Sequence, residues 1–291
     1  MPRSHRLARC VGGPLSCILL LAVAGGAAPA QGAAACRQTS PAHTVALVEL
    51  YTSEGCSSCP PADRWLATLA ARYGRDRLLP LSLHVDYWDY IGWRDPFAQA
   101  QFAERQRRLA ALSAAATRTT GTSAGTSAGA SIYTPEVFVG LRELRGWHDA
   151  AAFERRLREI NRQPARAEIG LDLHAATDDG LVVEVAVAVP AAAAGPGPLH
   201  GMLVVYEDGL VSSVGRGENR GATLQHAHVV RYWSPPWPLR AGGEAQRWRQ
   251  RVPLAADWKG KNLGLAALVH NLRTGEVLQA VSLPVCAAAA G

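Results

Sequence analysis

No apolar run in the sequence is long enough to cross a bilayer as a helix. The run at residues 15–24 is about half of the ~20 residues that a spanning helix needs, and Arg3, Arg6 and Arg9 precede it. It gives way to small residues ending at Ala28, Pro29 and Ala30, the pattern of a cleaved export signal. Residues 1–30 are therefore expected to be a signal peptide, with cleavage after Ala30 or Ala35, a periplasmic or secreted destination, and no stable membrane insertion afterwards. Cleavage after Ala35 would leave Cys36 first, but residues 33–35 lack the bulky aliphatic of a lipoprotein signal.

Clustered positive charge is also missing. Loss of the three leading arginines takes the formal charge from +6 to +3, and the remaining arginines are scattered, without the basic stripe and interleaved aromatics that track phosphates. Nucleic acid is not an expected partner. No glycine-rich loop follows a strand, so no nucleotide, flavin or haem is expected, and no cofactor at all. Zinc would want a second close cysteine pair or histidines at ligand spacing, and no second pair exists, so the CxxC is not read as half of a zinc site.

The sequence does hold four cysteines beyond the leader: Cys36, Cys56, Cys59 and Cys286. An even number suits an oxidising compartment. The simplest pairing joins Cys56 to Cys59 and, as a staple between distant parts of the chain, Cys36 to Cys286. The alternative leaves the outer two unpaired or bonded to other molecules.

Texture divides the chain near Pro164. Residues 44–163 alternate strand and helix signals. Val45 to Tyr51 reads as a buried strand. Pro60 and Pro61 open a helix that Gly74 closes. Leu78 to Val85 is the next strand, and Asp95-Pro96 starts a helix to about Leu112. Residues 113–131, rich in Ala, Thr, Gly and Ser, read as a flexible insertion. Asp149 caps a last helix through Ile160. Residues 165–286 read as successive strands between turn sequences, Leu224 to Tyr232 among them. The expected fold is an α/β thioredoxin-like domain followed by an all-β antiparallel sandwich.

A strand leading into a CxxC at a helix start suits thiol exchange. The helix N-terminus favours a thiolate at Cys56, and Cys59, one turn inward, resolves a mixed disulfide. Thr134-Pro135 matches the cis-proline loop that lies beside such a disulfide and holds a partner's backbone; a trans proline opening an edge strand is the alternative. Glu49, an acid in an apolar strand, is a candidate to relay the resolving thiol's proton if it is buried; the alternative is a strand-end Glu in solvent. Glu54 reads as a surface loop residue. His84, Asp86, Trp88 and Asp89 end a strand where functional groups collect, and with Thr134 they are expected to line the groove by Cys56. Copper held by Cys56, Cys59 and His84 is a competing use, although the cysteines lie closer together than in two-Cys, one-His copper chaperones. His226 and His228, two apart, read as sharing one strand face.

Residues 48–63, 84–89 (His-Val-Asp-Tyr-Trp-Asp) and 92–97 (Gly-Trp-Arg-Asp-Pro-Phe), with Tyr133-Thr-Pro-Glu136 and Arg216-Gly-Glu-Asn-Arg-Gly221, resemble the DUF1223 family of secreted thioredoxin-like proteins. The resemblance spans the chain beyond the leader and implies the two-part architecture, but no substrate. The insertion at 113–131 departs from it and puts partner choice in doubt. The function expected is exported thiol-disulfide exchange on a thiol or disulfide of a protein or small molecule. The alternative is a binding protein whose CxxC is a structural disulfide or a copper site.

Overall fold

The computed structural model describes residues 36–119, 131–177, 179–193 and 195–286. The expected leader lies outside these residues. In order, the elements are β1 (Arg37–Thr39), β2 (Ala46–Thr52), α1 (Pro60–Tyr73), β3 (Leu78–His84), α2 (Ala100–Thr119), β4 (Glu136–Val139), β5 (Arg142–Glu143), α3 (Ala150–Asn161), β6 (Glu168–Thr177), β7 (Gly180–Ala188), β8 (Leu199–Glu207), β9 (Leu210–Ser213), β10 (Thr223–His226), β11 (Val229–Trp233), β12 (Trp237–Leu239), β13 (Gln246–Pro253), β14 (Leu263–Asn271) and β15 (Val277–Pro284).

These elements do not build a thioredoxin-like α/β domain followed by a sandwich. The described chain is mostly β, with three sheets and three α-helices. Its largest sheet runs β15-β14-β8-β11-β3-β2-β4-β5, with β12 on β8, and so draws strands from both sides of Pro164. The join is β11, which pairs antiparallel with β8 and parallel with β3, where Val229 faces Ser82. Alternation along each strand could not reveal this, because it fixes which face is buried and leaves the neighbouring strand open.

Both faces of the large sheet are covered, which is why β2, β3 and β14 are buried along their whole length. One face of β8, β14 and β15 packs Leu203, Val205, Leu265 and Val281 against Ile169, Leu171, Val183 and Val185 of the β1-β6-β7-β13 sheet. That smaller sheet alternates buried and solvated positions along β6 and β7, as expected of an antiparallel sheet with one wet face. The opposite face gathers Leu47, Leu81, Val204, Val230 and Leu268 with Phe102 and Leu109 of α2, across the join. Helices α1 and α3 pack Leu66, Leu69, Phe153 and Leu157 on Val48 and Leu50 of β2.

Three local expectations are corrected. Helix α2 begins at Ala100 rather than Asp95, because the Gln99 amide donates to His84 O instead of back to Asp95 O, while the Asp95 carboxylate takes the amides of Glu54 and Phe97 and meets His84. It continues to Thr119, so residues 113–119 of the expected insertion are helical; residues 120–130 lie outside the described residues. The single strand expected over 224–232 is two, broken where His228 takes a φ of 55°.

Candidate functional site

Strand β2 ends at Thr52, and the chain turns through residues 53–59 into α1. Cys56 and Cys59 are joined by a disulfide, as are Cys36 and Cys286, which lie 250 residues apart in sequence. Cys59 is the N-cap of α1, with Pro60 and Pro61 in the first helical positions. The amides of Cys56 and Cys59 donate to Ser53 O and Cys56 O, and those of Ala62 and Asp63 both donate to Cys59 O. Both cysteines are nearly closed to solvent, at 1% and 0% exposed, whereas Ser57 and Ser58 between them are exposed.

The Thr134-Pro135 peptide is cis. The Thr134 carbonyl oxygen lies 3.7 Å from Cys56 Sγ, and Trp88 Nε1 donates to Thr134 Oγ1 at 2.7 Å. The structure thus brings Cys56, Cys59, Trp88, Thr134 and Pro135 together. Asp86 is half-buried, and its carbonyl accepts the Asp89 amide.

His84 is not in a groove. It is fully buried, its Nδ1 2.7 Å from Asp95 Oδ2. Burial works against its charged form, but the Asp95 charge and hydrogen bond outweigh it and hold the imidazole above its ordinary pKa. Asp95 is correspondingly held below the usual carboxylate range, against its own burial, chiefly by the His84 charge. Glu49 is buried, and it sits on the α2 side of β2, gripped by Arg105 Nε at 2.6 Å and Nη2 at 3.1 Å with the Tyr51 hydroxyl beside it. That face is opposite the one on which α1 and its N-cap cysteine pack.

The acid nearest the pair in sequence is Glu54, and it is not a surface residue. It is fully buried, accepts from Trp93 Nε1 at 2.8 Å and lies 3.0 Å from His226 Nε2. The other nitrogen of His226 is 4.0 Å from Asp63 Oδ2. Asp63 is buried one helical turn beyond Cys59, on the same face of α1, and burial raises its pKa against the pull of His226 and His84. Thr52 Oγ1 faces the Asp63 carboxylate, and His226 Nδ1 and His84 Nε2 have no hydrogen-bond partner. His226 and His228 do not share a face: His226 turns to this cluster, and His228 Nδ1 lies 3.2 Å from Asp208 Oδ1. Among the described residues, no three His, Cys, Asp or Glu side chains are arranged to hold a metal ion.

The polar loop between β9 and β10 lies on the cysteine loop. Asn219 Nδ2 donates to Glu54 O at 2.8 Å and Cys56 O at 2.9 Å, and the Ser57 amide donates to Glu218 Oε2 at 2.9 Å. The Arg216 to Gly221 segment marked this loop in the sequence, but its contact with residues 54–57, more than 160 residues earlier, had no local signal.

A family described as "Protein of unknown function (DUF1223)" matches residues 47–270. Among solved structures, a crystal structure of a protein from Agrobacterium tumefaciens aligns with a TM-score of 0.55 at 23% identity, covering 85% of this chain and 97% of that one. HBP35 of Porphyromonas gingivalis aligns with a TM-score of 0.56 at 17% identity, covering 84% of this chain and 76% of that one. At these identities the likeness is one of fold. No curated protein matches the chain. No helix among the described residues is long and apolar enough to cross a membrane.

Proposed function

The chain belongs to the DUF1223 family, and from the geometry of its cysteine loop we propose that it is a thiol-disulfide oxidoreductase whose redox pair is Cys56 and Cys59. The observation that carries this is the junction of the pair at the start of α1 with the Thr134-Pro135 loop, whose carbonyl lies 3.7 Å from Cys56 Sγ. A partner's backbone can lie along that loop while its sulfur meets Cys56. The Cys56 thiolate attacks one sulfur of a partner disulfide; the partner's S–S bond breaks, and the other sulfur leaves as a thiolate that takes a proton from solvent. Cys59 passes its proton to Asp63, the buried carboxylate one turn along α1, and attacks Cys56 Sγ. The partner's first sulfur leaves, and the pair is a disulfide again. The partner gains two electrons, and a thiol donor returns two to the pair. Run backwards, the same steps oxidise a dithiol. The substrate is a thiol or disulfide of a protein or small molecule. The activity belongs in an oxidising compartment, which the leader read over residues 1–30 would supply.

A second reading, a permanent structural disulfide in a binding protein, is favoured by the 1% exposure of Cys56. Titration of the purified protein in glutathione buffers, with Cys56→Ser as control, separates the two. A couple between about −120 and −270 mV that disappears in the variant supports exchange; resistance to reduction below about −300 mV means that the pair only holds the fold.

A further inference from the structure

Reduction of the pair adds two electrons, and its cost depends on how well the surroundings hold the resulting Cys56 thiolate. The usual stabilisers are sparse here. A helix N-terminus offers free amides, but Pro60 and Pro61 have none, and the amides of Ala62 and Asp63 both serve Cys59 O. The Cys56 and Cys59 amides are turned to Ser53 O and Cys56 O. The Ser57 amide is the next donor along the loop, and it is bonded to Glu218 Oε2 at 2.9 Å. Glu218 is held below the usual carboxylate range by the Ser57 hydroxyl and amide, so it is ionised at neutral pH. The Thr134 carbonyl oxygen also faces Cys56 Sγ, and the acids Glu54 and Asp63 lie beneath with His226. Among the described residues, no side-chain hydrogen bond or ion pair ties Arg216 or Arg220, the cations of the covering loop, to the cysteine loop. The Ser58 hydroxyl, 3.3 Å from Cys56 Sγ, is the remaining donor at hand.

Resting on the exchange reading, we propose that Glu218 is a positioning residue that tunes the pair: by occupying the Ser57 amide and placing a negative charge on the residue after Cys56, it disfavours the thiolate and biases the site toward giving electrons away. The bias runs toward reduction of partner disulfides. Upstream of it stands a reaction that donates electrons from a dithiol.

Two readouts test this. The ionisation of Cys56 is followed by the pH dependence of its alkylation in chemically reduced protein, and the disulfide equilibrium is measured against glutathione. Glu218→Gln, which keeps an acceptor oxygen and loses the charge, is expected to lower the Cys56 pKa and shift the equilibrium toward the dithiol about threefold, or about 15 mV at 29.6 mV per tenfold. Glu218→Ala, which also frees the Ser57 amide, shifts it at least as far. The difference between wild type and Glu218→Gln shrinks in ~1 M salt, where the screening length is about 3 Å. Unchanged or raised Cys56 pKa in both variants overturns the proposal, even if exchange is active. A lowered pKa in a protein that does not exchange with glutathione upholds the tuning and sinks the exchange reading instead.

Discussion

Glu136 follows Pro135 directly and is buried against Gln106, whose Nε2 donates to its Oε2 at 2.6 Å and to the Tyr133 carbonyl at 2.8 Å. Burial pushes its carboxyl up to about 7, only partly offset by the Gln106 amide. The folded protein therefore binds this proton more tightly than the unfolded chain does. The stability it contributes is full below the ordinary glutamate value and is lost as pH rises through about 7. Glu136→Gln is expected to flatten that fall and to leave the protein more stable at pH 8, on the order of 1 kcal/mol after allowance for solvent screening. Urea denaturation at pH 5 and pH 8 measures it, and equal pH slopes in the two proteins would count against it. At this scale the sequence was legible where chemistry is local. The CxxC and Thr134-Pro135 stood out because neighbours along the chain define them. Glu49 and Glu54 are both buried, yet their partners Arg105 and His226 lie 56 and 172 residues away, a distance over which no pattern in the sequence carries.

Among the elements, β14 and β8 are neighbours in the large sheet, and Gly264 pairs with Tyr206 across them. A Cβ on Gly264 would stand 2.1 Å from the Tyr206 ring, and Tyr206 is itself buried. Gly264→Ala must push the ring or the strand aside, at a cost of about 1–3 kcal/mol. Thermal melts of Gly264→Ala and of Gly264→Ala with Tyr206→Leu check this: the second change should recover part of the loss, and a harmless Gly264→Ala would contradict the packing. Most long strands were legible from their apolar runs, while β1, β5, β9 and β12, of two to four residues, are too short for alternation to show. The helix over 113–119 was hidden because a run of Ala, Ser, Thr and Arg has no apolar stripe, although alanine itself favours helix.

For the whole molecule, the sheet that passes through β11 makes the two sides of Pro164 depend on each other. The described residues form one compact unit, and α2 covers strands from both sides. Calorimetry should therefore show one unfolding transition, with calorimetric and van't Hoff enthalpies in a ratio near one; two resolved transitions would mean that the join at β11 is too weak to couple them. The change of texture at Pro164 is real in the sequence, but it marks where helices stop, and strand order across the sheet is fixed by pairings that residue types do not encode.

The Cys36–Cys286 bond has a further consequence in connectivity. With the Cα atoms of those residues 5.9 Å apart, everything between them is a covalent ring, so a protease that cuts once inside it, at the exposed Gly242-Gly243 turn for example, would leave a single molecule of unchanged mass apart from one water. The cut would show only after reduction. A thiol donor reaching Cys36–Cys286 as well as Cys56–Cys59 would thus decide whether a nicked molecule stays in one piece.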